Sequence, residues 1–407
     1  MAAEDFSALH KVAYGSGVPE LIPDIAMVQK DIKFSEAVLM GDYFEQAVRL
    51  ALPGGFTRAL GDGTAGAFAL NGATAGTQKK AKVYGYQMLL QDQIPYEDLA
   101  KASKGGAQAY KAASALFWEG MQLSMRKMLE IMSLYGNAGI GLVGTYTSGT
   151  PSITISTPHW APQIWSGLTG TSLNIMNGTT STVRDTAVTI VSVDLDTMIV
   201  TLSGTVSGCA AGDTVYFKGG FGKEMYGLFS ILSNTGTLFN ISATTYDSWK
   251  AATHSVGGAF SFQALKKGLG KGMAKGLMYP INVYTSIGAF DDLVGDLHQL
   301  RNVDKSEVRK IELGNDEVCY KYAGVAATIK PHAMVKNGHA LGVVPQFAKR
   351  VGSMDFGFGM PGRADGKVFF DLEGYAAVEG RAYTHQAVFS EMPSVNVYWS
   401  SITNRTT

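Results

Sequence analysis

Residues 266–276 read KKGLGKGMAKG, four lysines and four glycines in eleven positions. That is the composition of a loop that wraps phosphate, but the spacing does not carry the chemistry. A Walker loop requires G-x-x-x-x-G-K-[ST], so that backbone N–H groups, a lysine and a magnesium-binding hydroxyl converge. Neither Lys271 nor Lys275 is followed by Ser or Thr. A dinucleotide fingerprint places a third glycine where Met273 stands, and it follows a strand, for which the preceding residues give no pattern. An amphipathic helix fits better: Phe262, Leu265, Leu269, Met273 and Leu277 line one side and the lysines form the solvated side. The glycines lower helix propensity, and they let a neighbouring segment come close.

Other reactive combinations fail on spacing too. The sequence has no G-x-S-x-G and no H-E-x-x-H. Its seven histidines (10, 159, 254, 298, 332, 339 and 385) are scattered, and only His332 and His339 are near neighbours; they read as a loop pair rather than a metal site. Glu119 and Glu130 share a helix face but lie about 16 Å apart along its axis, too far for paired acid–base work. Asp194, Asp196 and Asp213 lack the ligand number and spacing of a calcium loop and read as turn formers. Cys209 and Cys319 fit no metal spacing and read as two buried free thiols. No catalytic, cofactor-binding or metal site is expected, and the chain does not read as an enzyme.

Composition narrows the classes further. The 407 residues exceed what one core usually serves. Charged residues make up 17%, and the 49 glycines about 12%, against averages of roughly 25% and 7%. A large chain so poor in charge is expected to lay much of its surface against other protein. The 34 acidic and 34 basic residues cancel, without the basic excess of a tight nucleic-acid binder. The N-terminus MAAEDFSALHKVAYG has no apolar run and does not read as a signal peptide, so the N-x-[ST] matches at Asn177, Asn240 and Asn404 carry no weight. Residues 131–183 hold no Asp, Glu, Lys or Arg, but Gly, Ser, Thr and Pro interrupt them and no membrane span is predicted.

The elements follow from periodicity. Residues 1–53 read as an arm broken by Pro19 and Pro23, with a helix over 36–53 from Val38, Leu39, Tyr43, Ala47, Leu50 and Ala51. Residues 54–90 are dominated by small side chains, with turn signals at Gly61-Asp62-Gly63 and Asn71-Gly72. They predict extended strands leaving and returning, a ribbon too poor in bulky residues to hold itself. The strongest helix is 107–135, with Tyr110, Ala113, Phe117, Met121, Met125, Met128, Met132 and Tyr135 at gaps of three or four. Its methionines read as a face packed on a sheet. Residues 147–218 turn to short strands with a hairpin at Asp194-Leu195-Asp196-Thr197, predicting a small sandwich or barrel. From 224 a short helix, a helix over 262–278, a strand at 280–286, a helix at 287–300, paired strands at 318–331 and strands over 367–402 alternate without βαβ regularity. The fold class is α+β.

This ordered set resembles the major capsid protein of tailed phages of the Hong Kong 97 type. The local matches are QLSMRKMLEIMSLYGNAGIGLV (122–143), VTIVSVDLDTMIVTL and AAGDTVYFKG (188–202, 210–219), GLFSILSNTGTLFNISATTYDSWKA (227–251) and DLEGYAAVEGRAYTHQAVFSEMPSVNVYWSSI (371–402). The resemblance implies an N-terminal arm (1–53), an extended loop (54–100), a peripheral domain with a spine helix (101–146), an inserted β-rich subdomain (147–222), an axial domain (223–365) and return strands (366–407). It implies a structural subunit that forms hexamers and pentamers of an icosahedral head around double-stranded DNA. Scaffolding, portal and decoration proteins would be partners, with assembly in the host cytoplasm and residence in the virion. Phe56, Arg58, Phe68, Lys79, Lys80 and Lys82 are the expected intersubunit contacts. Some members link a loop lysine to an asparagine; closure without such a bond is expected here. The alternatives are an encapsulin-type nanocompartment shell and a secreted β-rich binding module.

Overall fold

Why each segment adopts its element is visible in what covers it. The computed structural model describes residues 26–35, 42–59, 67–104, 107–303, 318–359 and 368–405, with no account of the side chains of 101–116, 186–187 and 297–303. Pro19, Pro23, residues 36–41 and the turn signal at Gly61-Asp62-Gly63 lie outside the described residues, as do the side chains of Tyr110 and Ala113. Among the described residues no helix is long and apolar enough to cross a membrane.

A short helix α1 (Met27–Asp31) is followed by strands β1 (Phe44–Ala51) and β2 (Thr77–Val83), paired antiparallel from Phe44↔Val83 to Ala51↔Thr77. The periodicity over 36–53 predicts a helix, and over the described residues 42–53 the structure overturns it. Phe44, Val48 and Leu50 turn toward the core in alternation, and the partner strand decides the conformation. Beyond the strands the limbs stay together: Gly54 N–H donates to Thr74 O, and Asn71 side-chain and backbone N–H groups donate to Phe56 O and Thr57 Oγ1. Asn71-Gly72 is therefore part of the returning limb and not a turn. Gly55 sits at φ +91°, where a Cβ would lie 2.8 Å from Gly72 O, so this crossing of the limbs requires glycine.

Strand β3 (Tyr86–Pro95) leads through α2 (Tyr96–Lys104) to the long helix α3 (Ala107–Leu134). Phe117, Met121, Met125, Met132 and Tyr135 are buried as the spacing predicts. The first three pack with Ile94 and Ala382 of the sheet below, and Gly380 admits the Phe117 ring where a Cβ would come within 2.6 Å.

Next come β4 (Gly141–Tyr146), β5 (Ser152–Ile155), a turn of helix α4 (Pro162–Trp165), β6 (Ser172–Met176), β7 (Val183–Asp194), β8 (Ile199–Leu202) and β9 (Thr214–Phe217). They close in the order β4-β5-β8-β7-β6-β9, and the Gly141↔Val215 pair completes the ring. Of the small sandwich or barrel that the sequence predicts, the strands form a barrel, and its first strand begins before the expected 147. Ile153, Ile155, Trp165, Leu173, Ile175, Ile190, Val200 and Val215 fill it. At the β7–β8 hairpin Asp194 Oδ1 accepts from Asp196 and Thr197 N–H. These bonds, led by those from Thr197, hold its carboxyl below the usual range.

The chain continues through α5 (Leu228–Leu232), a two-residue hairpin β10 (Thr237–Leu238) and β11 (Ile241–Ser242), β12 (Ala252–Gly258), α6 (Phe262–Ala274), β13 (Ile281–Thr285), α7 (Ile287–Val303), β14 (Val318–Tyr322), β15 (Val325–Pro331) and β16 (Ala340–Val343). The last elements are β17 (Ala348–Phe358), β18 (Phe369–Asp371), β19 (Ala377–Ser390) and β20 (Val397–Ile402). Six strands form one mixed sheet, β12-β20-β16-β13-β15-β14, and β19 is flanked by β17, β18 and β3 in a second. Helices α6 and α7 cover the first sheet with Leu265, Leu269, Ala289 and Leu293. Gly268 and Gly272 are what let α6 lie so close: a Cβ there would meet Trp399 at 2.1 Å and Val397 at 2.8 Å. The α+β class holds.

Residues 26–35 tie these layers together. Glu130 of α3, wholly buried, accepts from Val28 N–H at 2.7 Å, Gln29 N–H at 3.2 Å and His332 Nε2 at 2.8 Å. Met334 N–H donates to His332 Nδ1, which leaves Nε2 to carry the proton toward Glu130. Asp31 accepts from Tyr284 Oη at 2.6 Å, Asn282 Nδ2 at 3.1 Å and Lys330 Nζ at 2.9 Å. Arg350 of β17 donates through Nε to Ile32 O at 2.9 Å.

Candidate intersubunit surface

The β1–β2 ribbon divides into a rooted base and a bare end. At the base Ala81 and Val83 are buried, Lys82 N–H donates to Phe239 O at 3.0 Å, and Phe44 meets Phe389 edge-on at 5.7 Å. Toward the end, Leu52, Phe56, Phe68 and Leu70 are 76%, 76%, 54% and 81% exposed. Water-facing apolar side chains of this size on a two-stranded unit are unusual, because nothing across the ribbon shields them. Covering them would return about 1.5–3 kcal/mol each.

The expected contact residues fall on this ribbon in two groups. Phe56, Arg58 and Phe68 stand exposed on the outer limbs. Lys79, Lys80 and Lys82 sit on β2, where the side chains of Lys80 and Lys82 have partners within the ribbon. Lys80 Nζ lies 2.8 Å from Glu45, and Lys82 Nζ is 3.6 Å from the same carboxylate and 4.5 Å from the Tyr43 ring centre. The hydrogen bond from Lys80 holds the Glu45 carboxyl below its usual range and raises Lys80 in return, while Tyr43 raises Lys82. Below them a groove of about 870 Å³ is lined by Glu45, Lys79, Lys80, Lys82, Asn240 and Tyr246. The sequence reading missed Leu52, Leu70 and Glu45. Leu52 and Leu70 were legible as isolated bulky residues among glycines and alanines.

Away from the ribbon, the histidines and carboxylates that could carry chemistry have local work. His332 faces Glu130, while His339 Nδ1 is 2.7 Å from Tyr398 Oη and its ring lies 5.5 Å from that of His159; the neighbour pair is split between two environments. Among the described residues no group of three or more His, Cys, Asp or Glu could hold a metal ion. Glu119 is exposed while Glu130 is buried, so the two carboxylates do not share surroundings. Asp213 accepts from Ala210 N–H and Arg184 Nε. Both cysteines are free, but they are not buried as expected: Cys209 is half-buried and Cys319 exposed, because Cys319 points out from β14, at the end of the six-stranded sheet.

One buried cluster was not foreseen. Lys336 is sealed at the seam between the barrel and the six-stranded sheet. Its Nζ donates to Gly139 O at 2.9 Å and lies 4.0 Å from the Tyr135 ring centre. Burial pushes its ammonium down to about 7. Burial, with the neighbouring charges, also pushes His339 down to about 3 and His159 to about 4. The partners lie some 200 residues apart, beyond any spacing rule.

No family model matches the chain, and no curated protein sequence matches it. Solved structures do. A chain of the cyanophage A-1(L) capsid asymmetric unit is similar over 97% of each chain, with a TM-score of 0.55 and 12% identity. The capsid of the native GTA particle is similar over 99% of this chain and 100% of that one, at 0.50 and 6%. The holo-SrpI encapsulin complex from Synechococcus elongatus PCC 7942 aligns over 100% and 98%, at 0.45 and 9%. At such identities the likeness is one of backbone architecture: the chain has the fold of phage capsid chains.

Proposed function

We propose that this protein is the major capsid subunit of a tailed phage and assembles as hexamers and pentamers of an icosahedral head around double-stranded DNA. The observation that carries the reading is the ribbon. Four large apolar side chains stand in water on a unit whose base is fixed in the core, in a chain with a capsid fold. A sister subunit supplies the missing cover, and repeating that contact from neighbour to neighbour closes rings and then a shell. Ordering the outer limbs costs about 1–2 kcal/mol per residue, so the contact must belong to the class above roughly 2,000 Å².

In this reading the extended loop is the β1–β2 ribbon. The peripheral domain is α3 with the β19 sheet, the axial domain is the six-stranded sheet with α6 and α7, and the barrel 141–217 is an insertion. Phe56, Arg58, Phe68 and Lys79 make the intersubunit contact, whereas Lys80 and Lys82 first stiffen the ribbon through Glu45. Scaffolding, portal and decoration proteins are the partners such a head requires.

The test is hydrodynamic. Purified protein, alone or co-expressed with its scaffolding protein, sediments as closed particles of megadalton mass. Preparations that contain only monomers under both conditions contradict the proposal.

A further inference from the structure

The lysine- and glycine-rich run 266–276 is not used by the ribbon contact, and its outward face has a distinct chemistry. Helix α6 contains no acidic residue. Lys266, Lys267 and Lys271 are exposed on it, together with Gln263, Gly270 at the margin and Ala274, and within the helix no large apolar side chain joins that face. The acid nearest in the chain, Asp247, is already held by Lys250 and Lys275, each at 2.8 Å. Among the described residues no carboxylate pairs with Lys266, Lys267 or Lys271. Lys271 Nζ donates to Thr253 O at 2.9 Å, and Lys266 Nζ lies 5.4 Å from the Tyr322 ring centre. Both contacts leave the charge uncompensated.

The field of these lysines reaches the adjoining strand. His254 on β12, the edge of the six-stranded sheet, is held below the usual histidine range by burial first and then by Lys271 and Lys267. In a chain whose charges cancel overall, this is a segregated positive surface. It is also a rigid one, since Gly268 and Gly272 clamp α6 against Trp399 and Val397.

We propose that the lysine face of α6, with the adjacent edge of β12, is a contact surface for the phosphodiester backbone of duplex DNA. The proposal rests on the shell reading only in taking this face to look inward. Phosphate suits the surface because lysine is a compact point charge that needs no fixed partner geometry. A protein partner suits it less, since protein interfaces are depleted in lysine and built around aromatic and apolar anchors, of which the helix presents none and only Met278, beyond its end, stands exposed nearby in the chain. The binding is indifferent to sequence: α6 presents no arginine fork, and its one amide side chain able to pair with adenine, Gln263, stands alone among lysines. Three phosphate contacts give a weak, strongly salt-dependent interaction for one subunit, and a shell multiplies it by repetition.

The experiment compares full-length wild type, the triple variant Lys266→Gln/Lys267→Gln/Lys271→Gln and a control variant, Lys218→Gln/Lys223→Gln. Each is held as unassembled subunits and titrated onto a fluorescent duplex of about 20 base pairs at salt from about 50 to 200 mM. In wild type and control, log K falls against log salt with a slope near −3, and in the triple variant the slope loses about 2 to 3 units, while all three keep the same thermal midpoint. An equal slope in the triple variant and wild type, or no duplex binding by wild type at the lowest salt, overturns the proposal. So does polyglutamate that displaces the duplex at equal charge concentration, which would assign the face to an acidic protein. Particle formation is scored separately by sedimentation. Duplex binding with this slope but no particles leaves this surface standing and removes the shell reading; particles without duplex binding do the reverse.

Discussion

The strands of the barrel 141–217 and those of the β1–β2 ribbon all pair antiparallel, and the two units solve opposite problems. The barrel closes through Gly141↔Val215, leaves no strand edge in its ring and fills its interior with Ile, Val, Leu and a tryptophan. The ribbon has two strands, edges that are open beyond the Lys82–Phe239 bond at its base, and four large apolar side chains in water. Closure gives the barrel its order internally. The ribbon draws order from its base, and in the proposed shell a sister subunit supplies the rest. Whether an element stabilises the monomer or the assembly is set by where its apolar side chains find cover.

That contrast can be broken most sharply at Trp165, buried in the barrel. Trp165→Ala is expected to lower monomer stability by about 3–5 kcal/mol, read by denaturant titration. Replacing Leu52, Phe56, Phe68 and Leu70 together by serine should change monomer stability by no more than about 0.5 kcal/mol, yet abolish particles on a sucrose gradient. If the ribbon variant unfolds the monomer, or still assembles, the division of labour is wrong.

Hydrogen exchange sharpens the same contrast. In the monomer, amides of β2 at the ribbon base and of β7 and β8 in the barrel exchange slowly, while those of 67–74 exchange fast. In particles 67–74 becomes protected. Slow exchange of 67–74 in dilute monomer would show that the ribbon needs no partner.

Per pH unit, a smaller effect is expected at the seam that holds the barrel. Lys336 sits near 7 against an ordinary 10.5. Between those values the unfolded chain binds more protons than the folded one, so stability rises with pH across that window and is lost as pH falls toward 7. The slope is at most about 1.4 kcal/mol per unit. Lys336→Met removes this slope, measured as thermal midpoints from pH 7 to 10. The smallest effect concerns the ribbon's own charges. Glu45→Gln should bring the Lys80 titration down toward that of an ordinary lysine, read by NMR, without moving the thermal midpoint.

Periodicity was sufficient where an element is covered by one continuous partner. Helix α3 shows its buried stripe from Phe117 to Met132, α6 its lysine face, and the β7–β8 hairpin its Asp194 turn. It misled at 44–51, where Tyr43, Ala47, Leu50 and Ala51 satisfy a helical period while Phe44, Val48 and Leu50 also alternate. The choice belongs to β2, some thirty residues on. The exposed phenylalanines of the ribbon were readable as bulk among small residues. Glu130 with His332, and Lys336 with Gly139, were not, because those partners are joined only by the folded chain.

The segment 26–35 carries one last implication, for the order of events during folding. Its grips reach residues 102, 253, 299 and 318 positions away, at Glu130, Tyr284, Lys330 and Arg350. None of these receptors exists as a surface until α3, the six-stranded sheet and β17 have met. This latch must therefore close after those layers have met, though its own residues are made before any of them, and nascent chains should wait with it undocked until β17 has emerged.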